Sequence, residues 1–228
     1  MKFCIVHYNT PELTACLCSS IKKQHDNPEI IIFDNSDKRP FKEMAELFGC
    51  TYFDNTKGQL INFNAEIVKH KRRMSYDQKR SGCNFGSVKH SMSIQYLIDN
   101  LDESFILLDS DILLKKPIDF IDENFACVSD IIIVNKRTRF SRISPMLAYI
   151  NVPLIKKHKI RFFDANRMHS LDVRHFDYDT GASFLEDIKK IKSFKHLNTS
   201  SYFVHYGHGS WQNNFYKGWL VKHLRLWQ

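Results

Sequence analysis

Phe105-Ile-Leu-Leu-Asp-Ser-Asp-Ile-Leu-Leu-Lys-Lys-Pro117 is the stretch around which the rest of the chain is arranged. An apolar run, Phe105 to Leu108, stops abruptly at two carboxylates, Asp109 and Asp111, with Ser110 between them. Unbroken apolar residues of this length read as a strand covered on both faces, as in a parallel sheet between helices. Carboxylates at the C-terminal end of such a strand lie in the crevice where open α/β sheets bind ligands. Residues two apart in extended chain point the same way, so Asp109 and Asp111 are able to converge on one hard cation. Paired carboxylates with open positions suit Mg2+ or Mn2+ that also takes phosphate oxygens. Alone, Asp-Ser-Asp reads equally well as a polar turn after a buried strand. The flanking chain has to decide.

The bulk composition sets bounds. The 228 residues, 43% of them hydrophobic and 18 of them Phe, support one domain with a substantial core. No apolar run approaches the roughly 18 residues of a membrane span. Lys2 to Tyr8 reads as a strand, not as a secretory leader. The six cysteines, at 4, 16, 18, 50, 83 and 127, form no CxxC pair, and several sit within apolar patterns. They read as reduced, small hydrophobes, which predicts a cytoplasmic protein and argues against a disulfide scaffold or structural zinc. The net charge of +8 is localised. Residues 69 to 82 carry Lys69, Lys71, Arg72, Arg73, Lys79 and Arg80 against only Asp77. From Ile188 to Gln228 there are seven Lys or Arg and no acidic residue. Such asymmetry points to anionic partners: nucleotide phosphates, an anionic membrane surface or nucleic acid. A solvated basic face is the plain alternative.

In chain order, the apolar runs at Phe3–Val6 and Glu29–Phe33, with a shorter one at Thr51–Phe53, predict three strands. Helices separate them. Thr10-Pro11-Glu12 has the chemistry of a helix start, with Thr10 as N-cap, and Leu13, Leu17 and Ile21 mark one face. Pro40 opens a second helix that Gly49 closes. Alternation of this kind predicts parallel strands with right-handed crossovers. Ser87 to about Asn100 is a helix, Asp130–Val134 a strand, and 182 to 192 a helix. Residues 135 to 178, with Pro145 and Pro153, read as short irregular pieces. Ser201–Val204 is a late strand that ends in His205-Tyr-Gly-His-Gly-Ser-Trp211.

Polar groups thus stand at several strand ends, and their order resembles the GT-A nucleotide-sugar glycosyltransferases, above all family two. Ile5-Val-His-Tyr-Asn-Thr-Pro-Glu-Leu13 looks like that family's first strand and helix, Phe33-Asp-Asn-Ser36 like its second strand, and Leu108-Asp-Ser-Asp111 like its DxD motif. His205-Tyr-Gly-His-Gly-Ser-Trp211 is similar to a C-terminal element that supplies a metal ligand. The resemblance implies an α/β fold: one GT-A (Rossmann-like) domain over residues 1–228, with a mixed, mostly parallel sheet flanked by helices. Residues 1–115 would bind the nucleotide-sugar and 116–228 the acceptor. It implies that His7, Tyr8, Asn9 and Asp34 contact the nucleoside, with Lys57, Gly58, Lys89 and Ser110 near the nucleotide. Asp109, which in this family often contacts ribose, and Asp111 and His205 would hold Mn2+ or Mg2+. His208 is the competing ligand or a diphosphate contact. Asp179, then Asp177, would supply the general base of an inverting transfer.

The expected reaction is transfer from a nucleotide-sugar, most plausibly a UDP-sugar, to a hydroxyl of a glycan or lipid-linked glycan. The mixed basic and aromatic C-terminus suits peripheral contact with a membrane surface. The high pI and the basic loop keep one alternative open, sugar transfer to modified DNA; a non-catalytic nucleotide- or glycan-binding module is another, of a different class. A nucleotidyltransferase is disfavoured, because no Gly-rich phosphate loop stands near the N-terminus.

Overall fold

A computed structural model describes residues 1–63, 65, 85–135, 140–164 and 180–206. Nine strands are described: β1 (Lys2–His7), β2 (Glu29–Asp34), β3 (Thr51–Asp54), β4 (Phe105–Asp109), β5 (Ile112–Leu114), β6 (Cys127–Asn135), β7 (Phe140–Ile150), β8 (Phe194–His196) and β9 (Phe203–His205). Five helices accompany them: α1 (Pro11–Gln24), α2 (Lys42–Leu47), α3 (Phe85–Asn100), α4 (Val152–Lys157) and α5 (Ala182–Lys190). Seven strands form one sheet in the order β3-β2-β1-β4-β7-β6-β8, and β5 and β9 form a separate pair. The ladders among β1 to β4 are parallel, as is β6 with β8, while β7 runs antiparallel to both β4 and β6. The mixed, mostly parallel sheet expected from the alternating elements is present.

Two apolar layers sandwich the sheet. Cys4, Phe33, Phe105, Leu107 and Ile143 pack on one face against Ile94 and Leu97 of α3 and Phe184 and Leu185 of α5. Phe3, Ile5, Leu108 and Leu147 pack on the other against Leu17, Cys18 and Ile21 of α1 and Ile112 and Leu114 of β5. This two-sided burial explains why the strands read as continuous apolar runs without alternation. None of the described helices is long and apolar enough to cross a membrane.

The helix starts differ in detail from expectation. Pro11 is the first residue of α1, but the Thr10 side chain makes no capping bond; its hydroxyl lies 3.5 Å from the Ser110 hydroxyl instead. α2 is short and is followed by Gly49 at φ +61°, which needs the left-handed conformation glycine tolerates. The larger departure is β7, an eleven-residue strand where the sequence reads as irregular. Its Pro145 lacks an N–H, yet breaks no rung. The β6 ladder steps from Ile131↔Ile143 to Ser129↔Ala148, so β7 bulges out between those rungs. Ser129 Oγ lies within hydrogen-bonding distance of the Ser144 and Leu147 carbonyls inside this bulge, at 3.1 and 3.3 Å.

Candidate active site

The register of the parallel strands lines up their C-terminal ends. His7 pairs with Asp34, Asp34 with Asp54, and Val6 with Asp109. Strand order reverses direction at β1, whose neighbours are β2 on one side and β4 on the other. A crevice at such a switch point, outside the carboxyl ends, is where open α/β sheets bind ligands.

On the β1–β2–β3 side the polar side chains are spent on the protein itself. Asp34 is fully buried. Its Oδ1 accepts from the Ser36 N–H at 2.8 Å, and its Oδ2 from the Phe41 N–H and the Tyr52 hydroxyl, each at 2.7 Å. His7 is fully buried as well, between the Thr14 hydroxyl at Nδ1, 2.7 Å, and the Arg39 carbonyl at Nε2, 3.2 Å. Burial lowers its proton affinity, so Nε2–H donates to the carbonyl and neutral Nδ1 accepts from Thr14. Asn9 sits at φ +55°; its Oδ1 accepts from the Lys38 and Arg39 N–H groups, and its own N–H donates to Ser36 Oγ at 2.9 Å. These three residues, expected in the pocket lining, hold the 35–39 turn from behind.

Tyr8 is different: at 37% exposure it stands at the mouth, and burial of its ring together with Asp37 raises its phenol pKa. Behind the turn, the Asn35 amide donates to Ser93 Oγ at 2.7 Å and accepts from the Asn55 amide at 3.1 Å. Asn55 also accepts from the Leu60 and Ile61 N–H groups, folding the loop that holds Lys57, which is exposed, and Gly58 at φ +73°. The Lys89 ammonium lies 5.7 Å over the Phe63 ring and its charge is felt at Asp37.

The β4 side is built otherwise. Asp109 ends β4, Ser110 and Asp111 turn the chain, and β5 pairs with β9 so that Ile112 faces His205. The Tyr206 N–H donates to the Asp111 carbonyl at 2.9 Å, which fixes the end of β9 beside the acidic turn. His205 Nε2 therefore lies 3.3 Å from Asp111 Oδ1. Long-range pairing thus brings His205 to Asp111, which stands two residues after Asp109. Asp109 is only partly buried in total surface, but its carboxyl is desolvated. Desolvation first, then repulsion from Asp111, pushes its pKa up to about 7; His205, the Ser110 N–H and Arg142 pull against that. The hydrogen bond to Asp111 raises the His205 pKa despite partial burial.

The donors fit a divalent cation in kind. Neighbouring ligands at about 2.1 Å from an octahedral ion lie about 3 Å apart, close to the Asp111–His205 separation. Repulsion between two neighbouring carboxylates is what such an ion would relieve. Among the described residues no three His, Cys, Asp or Glu side chains form a group that could hold a metal ion; Asp111 and His205 are a pair in contact. Asp177, Asp179, His208 and the basic segment 69–82 lie outside the described residues.

Arg142 was not singled out by sequence. It is one of several cations, with Lys136, Arg137 and Arg139, in a stretch that reads as irregular, and only the β7 register sets it opposite Ile132 of β6.

No family model matches the sequence, and no curated protein matches it either. Solved structures do match. An active-site mutant of LgtC aligns with a TM-score of 0.57 at 12% identity, covering 87% of this chain and 73% of that one. Mouse xyloside xylosyltransferase 1 aligns at 0.50 and 12% identity, covering 88% and 86%. Glucosyl-3-phosphoglycerate synthase from Mycobacterium tuberculosis, solved with Mn2+ and UDP, aligns at 0.50 and 10% identity, covering 98% and 74%. With its 3-2-1-4 strand order and its polar strand ends gathered at the switch point, the chain has the GT-A fold of these glycosyltransferases.

Proposed function

We propose that the chain is a metal-dependent glycosyltransferase that moves a sugar from a nucleotide-sugar, a UDP-sugar in first place, to a hydroxyl of a glycan or lipid-linked glycan. One observation carries the reading: His205 lies 3.3 Å from Asp111, beside Asp109 at the C-terminal end of β4 and the switch point of a GT-A sheet. On this reading Asp109, Asp111 and His205 hold Mn2+ or Mg2+, an oxygen and imidazole set that favours Mn2+. Such an ion supplies Lewis acidity to the leaving nucleoside diphosphate.

The nucleoside lies over β1 and β2, against Tyr8 and the 35–39 turn that His7, Asn9 and Asp34 keep rigid. Preorganisation of this kind lowers the entropy cost of binding. The bound Mn2+ and UDP of the mycobacterial synthase agree with this choice of cofactor and donor. Asp179, with Asp177 as the second choice, takes the acceptor proton, and residues 116–228 form the acceptor half. The basic C-terminus rests on a membrane surface when the acceptor is lipid-linked.

The test is hydrolysis and transfer with a panel of UDP-, GDP- and dTDP-sugars, with and without Mn2+. Mn2+-dependent turnover of one donor class is the expected result. Absence of both binding and turnover across the panel overturns the reading.

A further inference from the structure

Across the C-terminal edge of the sheet the order is β2, β1, β4, β7. The nucleoside cradle stands over β1 and β2 and the acidic pocket at β4. Whatever a donor carries beyond its α-phosphate extends toward β7.

β7 is built to meet it. Its last rung with β4 is Leu108↔Leu147, so the stretch from Phe140 to Met146 runs on beyond the end of β4 and overhangs the crevice. Within that overhang Ile143 is fully buried in the core layer shared with α3 and α5. Strand alternation turns its neighbour Arg142 to the other face. That is the face on which β5 packs; Asp111 immediately precedes β5, and its partner β9 ends in His205. The rung Ile132↔Arg142 fixes the residue in the ladder. Ile143 is wedged beneath Gly181, where an added Cβ would come within 2.5 Å of Ile143 Cγ1, so the backbone at this point has no slack. Arg142 is half-buried, its Nη1 donates to the Ile143 carbonyl at 3.2 Å, and its positive charge is felt at Asp109.

We propose that Arg142 is an oxyanion anchor on the β7 side of the Asp109–Asp111–His205 pocket and grips the β-phosphate of the donor. The proposal rests on the glycosyltransferase reading. Charge balance supports it. A divalent ion held by two carboxylates leaves the pocket neutral, whereas a nucleotide-sugar brings two negative charges. On departure the diphosphate gains a further one. A fixed guanidinium beside the outer phosphate offsets the charge where it grows, in the planar, two-pronged manner that suits phosphate oxygens.

The experiment is calorimetric titration of the wild type, Arg142→Gln and Arg142→Lys with UDP, UMP, GDP and GMP in Mn2+, beside thermal melts. For whichever base the wild type binds, Arg142→Gln is expected to weaken the diphosphate about 10- to 100-fold, the range of a hydrogen-bonded ion pair. The monophosphate should change less than threefold. Arg142→Lys is expected in between and serves alone if the Gln variant does not fold. Equal weakening of mono- and diphosphate overturns the anchor. So does an unchanged diphosphate affinity, including the case where only the acceptor KM rises. A wild type that binds none of the four nucleotides overturns the glycosyltransferase reading itself, a result distinct from either.

Discussion

Asp34 and Asp109 end β2 and β4, the two strands that flank β1, and they have opposite electrostatic fates. Asp34 is sealed in, and three donors from its own loop and β3 satisfy it. Asp109 has a single close N–H donor, from Ser110, and faces a second carboxylate, which together with desolvation holds its pKa near 7. The cradle side of the crevice is a closed network that keeps its shape without a ligand. The β4 side stores repulsion that a cation relieves. Rigidity sits where a nucleoside would need preorganised walls, and mutually repelling carboxylates sit where chemistry would occur.

The contrast breaks most directly at Asp111. Asp111→Ala is expected to cost about 1,000-fold or more in Mn2+-dependent turnover of the donor that the panel selects, because a ligand and its charge are lost together. Its melting temperature should hold or rise, since the repulsion on Asp109 goes with it. A large loss of stability instead would make the pocket structural, like the cradle.

Asp34→Ala is the mirror case. Two backbone N–H groups and the Tyr52 hydroxyl lose their acceptor in a buried setting, which costs about 3 kcal/mol of stability. Chemical denaturation measures that loss. Mn2+ affinity of the folded fraction should stay within about twofold, because Asp34 makes its bonds away from the pocket.

Gly181→Ala should cost about 2 kcal/mol, through the left-handed backbone at φ +78° and the contact its Cβ would make with Ile143. It sharpens the comparison by loosening the β7 overhang without touching either network. A neutral result would mean that the overhang is not held rigid.

The smallest effects are in pH dependence, and the two sides have opposite signs. Asp109 has a folded pKa raised above its unfolded value, so the metal-free protein binds the extra proton when folded and loses that stability as pH rises from about 4 through about 7. Asp109→Asn should therefore melt a few degrees above wild type at pH 8 in chelator, with the gap closing toward pH 5. Mn2+ affinity of the wild type should climb with pH, by up to about tenfold per pH unit for each proton that Asp109 and His205 give up, then flatten once both are lost. His7 has a folded pKa below its unfolded one. Its contribution is present above about 6.5 and is lost as pH falls below that. A His7→Gln variant should flatten the acid limb of a stability profile and leave the metal profile alone.

Much of the architecture was legible locally. Continuous apolar runs at Phe3–Val6, Glu29–Phe33 and Phe105–Leu108 mark strands buried on both faces, and the Pro11 start and the 182–192 periodicity mark helices within a few residues of α1 and α5. The strand ends at Asp109 and His205 were legible as well, since an apolar run stops at each. β7 was not, because Pro145 reads as a breaker until the bulge shows that its missing N–H costs no rung. β5 and β8 are three residues each, too short for any period to declare itself.

Side-chain direction marks the division. The sequence alone determined which polar residues stand at strand ends, because a strand's end is set by where its own apolar run stops. It did not determine which of them face a ligand, because that depends on partners 7 to 32 residues away, such as Thr14 and Arg39 for His7. Tertiary packing turned His7, Asn9 and Asp34 inward as the supports of a turn. It paired β5 with β9 to bring His205 to Asp111, and it used strand register to place Arg142 opposite Ile132 of β6. The physical reason is that residue chemistry is local, whereas desolvation, register and the sum of nearby charges belong to the assembled sheet.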